Sequence, residues 1–353
     1  MIYDNETLKL ARQFLGKSQS DLAELIDVSQ ASISKIEKGI TPLSEDVVNK
    51  LSAYFQTSFF TKMSNPFLKV HYRASATIGK KFTEPFEARL YTISKNLDHL
   101  TEIVELPENK IPAIDPEERG FDIENIAEHV RNFMGLGRSP IQDIVRVLEK
   151  HGVLVYFFEY PFISSQNKNF DGVSFFASGV PVILVNNKIQ NARKVFTIAH
   201  ELGHLVMHNQ KEFFIDKNRD IEKEANRFAS EFIAPLYSVL EELSDLTLEK
   251  LFQLKSYWKI SAAAILYKAK DNYFTQDQYR RWITKMAPYR KSEPYDFDIS
   301  NPKLINDMFV VAEEELGGKD ELYNELGLTK MSFNDIYSTL NTGNKARVKM
   351  YVV

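Results

Sequence analysis

Residues 199–204, AHELGH, constrain the fold of this chain more than any other stretch. Their two histidines, His200 and His204, are four residues apart, so on a helix both imidazoles lie on one face and can bind the same metal ion. Glu201 follows the first histidine and is placed to take a proton from a water molecule beside that ion. The segment therefore predicts a helix that carries two metal ligands and a general base.

A third ligand must come from elsewhere, because a catalytic zinc ion is held by three protein ligands and keeps one position open. The sequence 221–233 predicts a helix with a buried apolar stripe, formed by Ala225, Phe228, Ala229 and Phe232. Glu222 shares the inward face of this helix and is the predicted third ligand. Glu224 is the second choice, since we expect it on a more solvated side. His208 is expected at the end of the first helix or behind the ligands.

The chain contains no cysteine, which excludes disulfides, thiolate ligands and a cysteine nucleophile. Its length of 353 residues suggests two or three folding units. The first residues lack the basic and apolar regions of a signal peptide, and no stretch reaches the roughly 18 apolar residues of a membrane span. We therefore expect a cytoplasmic protein without a membrane partner, whose metal is held by histidines and carboxylates.

The N-terminal region predicts a compact group of short helices. Residues 18–26 and 30–37 form two amphipathic helices separated by a tight turn, and Lys38 and Gly39 close the second. The lengths of these helices and the residues that separate and end them are typical of a helix-turn-helix. Residues 7–60 resemble the phage-repressor-like XRE family. Four apolar residues are expected to pack between the two helices: Ala23, Val28, Ile33 and Ile36.

The second helix of this pair is the candidate DNA-recognition helix. Four of its residues are expected to face an operator: Gln30, Ala31, Ser34 and Lys35. Residues 1–60 contain six Lys and Arg against eight Asp and Glu, so the attraction to phosphates is weak. A homodimer that reads two half-sites would compensate for this. A helical module that contacts only proteins is the alternative.

The rest of the chain predicts a multi-domain α+β protein. A helix around 87–105 belongs to a connector, two glycine-terminated helices follow residue 120, and three short β-branched and aromatic runs between 152 and 187 predict strands. After residue 273 the pattern is mixed, and we expect a mainly helical part. The predicted units are a helix-turn-helix domain at 1–62, a connector at 63–122, a metallopeptidase domain at 123–270 and a C-terminal domain of unknown role at 271–353.

Residues 123–269 resemble the ImmA/IrrE family of zinc metallopeptidases, because the AHELGH motif and the sequence EKEANRFASEFIAP occur in order at the expected spacing. The resemblance implies a zincin-like fold with one Zn²⁺ per chain and a glutamate as third ligand, which falls on Glu222. It also implies that a strand beside the motif helix pairs with the substrate, and residues 180–187 are the candidate. The departure is Phe232–Pro235, FIAP, where the family more often has Leu-Leu-Met-Pro.

The sequence hypothesis is a cytoplasmic regulatory zinc metallopeptidase that is tethered to DNA. His200, His204 and Glu222 hold the metal, Glu201 is the catalytic base, and the family resemblance implies a protein substrate such as a repressor. Two alternatives stay open. One is a transcriptional regulator whose peptidase-like domain is a non-catalytic sensor, and the other is an antitoxin-like protein-interaction module.

Overall fold

The computed structural model describes residues 2–61, 71–72, 80–160, 170–209, 215–216 and 218–340. The N-terminal helices are α1 (Asn5–Phe14), α2 (Gln19–Leu25), α3 (Gln30–Glu37) and α4 (Glu45–Lys50), followed by a 3-10 turn at Thr57–Phe60. Hydroxyl and carboxylate side chains cap their first turns, and Ser18 and Asp21 form a capping box at α2. The helix pair α2–α3 confirms the predicted helix-turn-helix, with Ile33 and Ile36 buried against it.

A long helix, α5 (Lys80–Ile103), connects this module to the rest of the chain. The structure extends the predicted connector helix beyond 87–105 at its start, because α5 begins at Lys80 and includes Pro85. Proline removes one backbone donor near the start of the helix, and the remaining turns continue. Arg89, one turn later, donates hydrogen bonds to the carbonyls of Pro85 and Phe14. The connector helix is thereby fixed against α1.

The central sheet has the strand order β1-β3-β4-β2. Its strands are β1 (His71–Tyr72), β2 (Leu154–Phe158), β3 (Gly172–Ala177) and β4 (Val180–Asn186). β4 pairs with β3 antiparallel and with β2 parallel. Two helices precede β2, namely α6 (Ile123–Phe133) and α7 (Ile144–Lys150). The helix pair and the three main strands confirm the predicted α+β class.

The remaining described elements are helices. They are α8 (Asn191–Met207), α9 (Ile221–Ile233), α10 (Leu236–Glu241), α11 (Leu248–Trp258), α12 (Ala262–Ala269), α13 (Gln276–Met286), a 3-10 turn at Ala287–Tyr289, α14 (Leu304–Leu316), α15 (Lys319–Leu326) and α16 (Lys330–Ile336). Within the described part of the chain, none of the helices has the length and apolar character needed to cross a bilayer. The mainly helical C-terminal part is confirmed.

The sheet separates two hydrophobic cores, because alternate residues of a strand point to opposite faces. Tyr156 and Val173 belong to a core shared with the N-terminal helices, α5 and α14–α16. Phe157 and Ile183 belong to a second core built from α6 to α13. The C-terminal helices therefore pack on the helix-turn-helix module, on the side of the sheet opposite α8.

Backbone contacts join the C-terminal helices to the end of the N-terminal module. The amide of Gln56 donates to the carbonyl of Gly327 at 3.0 Å, and Phe55 and Leu328 form an isolated β-bridge. Gly327 has a φ of +72°, and a Cβ there would lie 2.7 Å from the Cα of Phe59. This close approach requires glycine.

Replacing Arg131 by methionine is expected to destabilise the fold by about 3–4 kcal/mol, since three carbonyls, one of them buried, lose a charged donor. The Arg131 side chain is buried and donates to the carbonyls of Gly137, Ser139 and Phe232, which links α6 to the end of α9. Urea unfolding measures the loss. The control Arg138→Met removes an exposed arginine 4.0 Å from Glu128 and should change stability by about 0.5 kcal/mol or less.

Candidate metal centre

Helix α8 carries the two motif histidines in the interior of the protein. It is buried almost continuously from Lys194 to Met207, and His200 and His204 are 0% and 1% exposed. Buried imidazoles need polar partners. Partners come from α9, which packs along α8, and from His208 at the end of α8.

Close packing of α8 and α9 depends on a glycine. A Cβ at Gly203 would lie 3.0 Å from the ring of Phe228, so a side chain at this position would push the helices apart. Gly172 has the same role on β3, because its Cβ would lie 2.5 Å from Thr197. The two glycines let α8 approach both α9 and the sheet.

The structure brings His200, His204 and Glu222 together. The Nε2 atoms of the histidines are 3.1 Å apart, and the carboxylate oxygens of Glu222 lie 3.4 Å from His200 Nε2 and 3.2 Å from His204 Nε2. One ligand atom from each residue lies within 4.8 Å of the others. Glu222 remains partly exposed, with 41% of its side chain accessible. The cluster therefore opens to solvent on the side of Glu222.

The chemistry of these donors fits a divalent metal ion. Two imidazole nitrogens and one carboxylate are a known donor set for catalytic zinc. Burial raises the pKa of Glu222, but hydrogen bonds and charge from His200 and His204 outweigh this and hold the pKa well below its usual range. An ionised carboxylate facing two imidazoles is ready to bind a cation.

Glu201 is fully buried beside these residues and is held by the sheet. Ser174 on β3 donates from Oγ to Glu201 Oε2 at 2.8 Å, and Asn209 donates to the backbone carbonyl of Ser174 at 3.2 Å. Neither Ser174 nor Asn209 was among the residues predicted from the sequence. A serine in an otherwise apolar strand was the available signal for Ser174.

A second layer of polar side chains lies behind the histidines. Asn226 Oδ1 is 3.1 Å from His200 Nδ1, and His208 Nδ1 is 2.9 Å from His204 Nδ1. His208 is the C-terminal cap of α8, which agrees with its expected place at the helix end. Burial lowers the pKa of His208 to about 4, while its hydrogen bond with Glu224 opposes this shift.

The expectation of a solvated Glu224 is wrong. This side chain is buried, lies 3.0 Å from His208 Nε2 and accepts hydrogen bonds from two nitrogens of Arg219, both at 2.7 Å. Burial raises its pKa, but His208 and Arg219 outweigh this and lower the pKa to about 2. Glu224 therefore contacts His208 rather than the three clustered side chains.

The strand proposed to pair with substrate is placed differently from the expectation. β4 lies between β3 and β2 and is hydrogen-bonded on both sides. A paired central strand has no free edge for a peptide, so residues 180–187 cannot serve this role. The outer neighbour of β3 is β1, which pairs with Val173 and Ser174.

The candidate DNA-recognition residues lie on one helix of the N-terminal module. Gln30, Ala31 and Lys35 are exposed on α3, and Ser34 is half-buried. Gln30 Nε2 donates to Gln19 Oε1 at 2.8 Å, so α2 orients the amide of Gln30. No contact with DNA tests these residues, and they stay predictions.

A buried acid and base hold the module together beneath α3. Arg12 and Glu37 form an ion pair at 2.6 Å, and Gln19 also donates to Glu37 at 2.9 Å. Because the pair contains one positive and one negative side chain, its burial does not change the net negative charge of residues 1–60. Electrostatic attraction to phosphates therefore stays weak.

The fold and the clustered residues define a helix-turn-helix protein with a metallopeptidase-type domain. Residues 8–61 match the family model for the helix-turn-helix, and residues 148–270 match that for the IrrE N-terminal-like domain of peptidase family M78. The two resemblances given by the sequence motifs are confirmed. The second match begins within α7, so it is shorter than the 123–269 estimated from the sequence. No curated protein matches the chain.

Proposed function

We propose that this chain is a DNA-tethered zinc metallopeptidase that hydrolyses a peptide bond in a protein substrate, a transcriptional repressor. The observation that carries the proposal is the convergence of His200, His204 and Glu222 with the buried carboxylate of Glu201 alongside. The helix-turn-helix module supports an action near an operator. The M78 family match supports the reaction class.

The residues of the centre have distinct roles. His200, His204 and Glu222 hold the zinc ion, which when bound supplies a Lewis acid for the scissile carbonyl and a lowered pKa for water. Glu201 takes a proton from the attacking water and delivers it to the leaving nitrogen. Ser174 donates a hydrogen bond to one oxygen of Glu201 and thereby fixes the orientation of its carboxylate.

Removal of the metal is expected to abolish cleavage. The purified chain is dialysed against a chelator and incubated with candidate repressors from the same genome, with and without added Zn²⁺. Loss of cleavage after chelation and its recovery with zinc support the proposal. Without the metal, the scissile carbonyl is not polarised and the pKa of the water that Glu201 deprotonates is not lowered. A zinc-loaded protein that leaves every repressor intact contradicts the proposed substrate class.

Changing Lys35 to alanine is expected to weaken operator binding by about tenfold, since one base-edge contact contributes roughly 1–3 kcal/mol. Lys35 is exposed on α3, whose buried residues belong to a different hydrophobic core from those of α8. Genomic selection with the full chain supplies the DNA, and a mobility shift measures affinity. The control Lys319→Ala removes an exposed lysine from α15 and should leave affinity unchanged. Equal binding by the two variants contradicts the recognition face.

A further inference from the structure

We propose that His208 is a positioning residue for the metal centre, which accepts a hydrogen bond from His204 Nδ1 and thereby keeps the Nε2 lone pair of His204 available for the ion. The inference rests on the proposed zinc site and extends it to a chain of four side chains. That chain runs from His204 through His208 and Glu224 to Arg219. It also assigns a function to the buried carboxylate of Glu224, which is not one of the three clustered side chains.

The two ring nitrogens of His204 face different partners. Nε2 lies 3.1 Å from His200 Nε2 and 3.2 Å from Glu222, while Nδ1 lies 2.9 Å from His208 Nδ1. Because Nδ1 and Nε2 are on opposite sides of an imidazole, His208 is behind the ring as seen from the metal position. It is therefore placed to orient a ligand and not to be one.

The hydrogen-bond chain fixes where the protons are. Arg219 donates to Glu224 from two nitrogens in a bidentate arrangement, so Glu224 is a carboxylate and acts only as an acceptor. The Nε2 atom of His208, 3.0 Å away, must then be the donor to Glu224. A neutral imidazole has one N–H, so the Nδ1 of His208 is an acceptor.

The acceptor at His208 Nδ1 also determines the tautomer of His204. Two ring nitrogens 2.9 Å apart share one proton, and since His208 Nδ1 accepts, His204 Nδ1 carries it. His204 Nε2 is then unprotonated and directed at Glu222 and His200. A hydrogen bond to the nitrogen away from the metal fixes ring orientation and strengthens the ligand.

The other ligand histidine has a separate and simpler partner. The Asn226 amide oxygen is 3.1 Å from His200 Nδ1 and accepts its proton. His208 and Arg219 are well covered, with side-chain exposures of 0% and 9%. Arg219 also lies over the ring of Phe121 at 5.2 Å. The chain behind His204 is thus anchored by the segment preceding α6.

The test compares two substitutions of His208 in the full-length protein. His208→Leu removes the acceptor, whereas the Oδ1 of His208→Asn occupies the place of the histidine Nδ1 and can still accept from His204. Zinc dissociation constants are measured by competition with a chromophoric chelator. We expect the leucine variant to bind zinc about 10–100-fold more weakly and the asparagine variant to recover most of this loss.

A matched control for substitution of Glu224 separates positioning of His204 from general damage to α9. Glu231 lies on the same helix and pairs with Lys268 at 2.9 Å, so Glu231→Gln removes a comparable partly buried ion pair outside the chain. It should leave zinc affinity unchanged. Glu224→Gln keeps an acceptor for His208 but loses the charge, and we expect a loss of affinity smaller than that of the leucine variant. If His208→Leu does not fold, the comparison of Glu224→Gln with Glu231→Gln tests the inference.

Nuclear magnetic resonance of the metal-free protein gives a second readout. The ¹⁵N shifts of His204 should show a protonated Nδ1 in the wild type and in His208→Asn, and a mixture of tautomers in His208→Leu. Equal zinc affinity of wild type and leucine variant overturns the inference, as does an asparagine variant that is as weak as the leucine variant. A wild type that binds no zinc contradicts the proposed function instead, while the tautomer of His204 still decides the positioning role.

Discussion

Glu201→Gln is expected to lower the cleavage rate by about 10²–10⁴-fold, the contribution that a positioned general base makes. Zinc content should not change, because Glu201 is not among the three clustered side chains. The glutamine side chain keeps the shape of glutamate and still offers an oxygen to Ser174, which is 2.8 Å from the carboxylate. The variant therefore isolates proton transfer from folding and metal binding.

The measurement is the rate at which a repressor is cleaved, together with zinc content by mass spectrometry. Glu241→Gln, on the exposed side of α10, is the matched control and should cleave like the wild type. Cleavage by Glu201→Gln at the wild-type rate contradicts the base role. If the wild type and Glu201→Gln both fail to cleave the repressor and regulate transcription equally, the peptidase-like domain is a non-catalytic sensor.

The parts of this centre that lie on one helix could be predicted from the sequence, because helical spacing decides which residues share a face. The position of His200 and His204 on α8 follows from their spacing of four. The inward stripe of α9 likewise indicated Glu222, which the structure places 3.2 Å from His204. Local helical geometry is sufficient to place these residues.

The parts that depend on contacts between distant elements could not be predicted. Glu224 was expected in solvent, and its burial comes from Arg219 and from His208, which is 16 positions away. Ser174 reaches Glu201 across 27 positions, through the pairing of sheet and helix. Neither contact leaves a periodic signal in the sequence.

The position of the C-terminal helices in the fold also could not be predicted from the sequence, because it depends on contacts between the two ends of the chain. Ser58 donates to the carbonyl of Asn324, a residue 266 positions later. These helices share a core with the N-terminal module and with one face of the sheet. Ser174 extends from the opposite face of the same sheet to Glu201. In the described part of the chain, α5 and the sheet therefore both lie between the candidate DNA-binding module and the candidate metal centre.

Glu222→Ala is expected to weaken zinc binding by about 10²–10⁴-fold. Dividing the roughly 10–16 kcal/mol of a protein zinc site over three protein ligands gives about 3–5 kcal/mol for each. Glu222 is partly exposed, so its removal should leave the metal-free fold intact, which thermal unfolding with chelator present checks. Competition with a chromophoric chelator measures the affinity.

Glu224→Ala is the decisive comparison, because the sequence left both glutamates open as the third ligand. Glu224 contacts His208 and Arg219, so its loss acts on zinc only through the orientation of His204 and should cost less than about 100-fold. It should also lower the stability of the metal-free protein, since Arg219 and His208 lose a buried partner. Glu222→Ala should therefore lose more zinc affinity, whereas Glu224→Ala should lose more stability in the metal-free protein. A larger loss of zinc affinity in Glu224→Ala than in Glu222→Ala contradicts the assignment of Glu222 as the ligand.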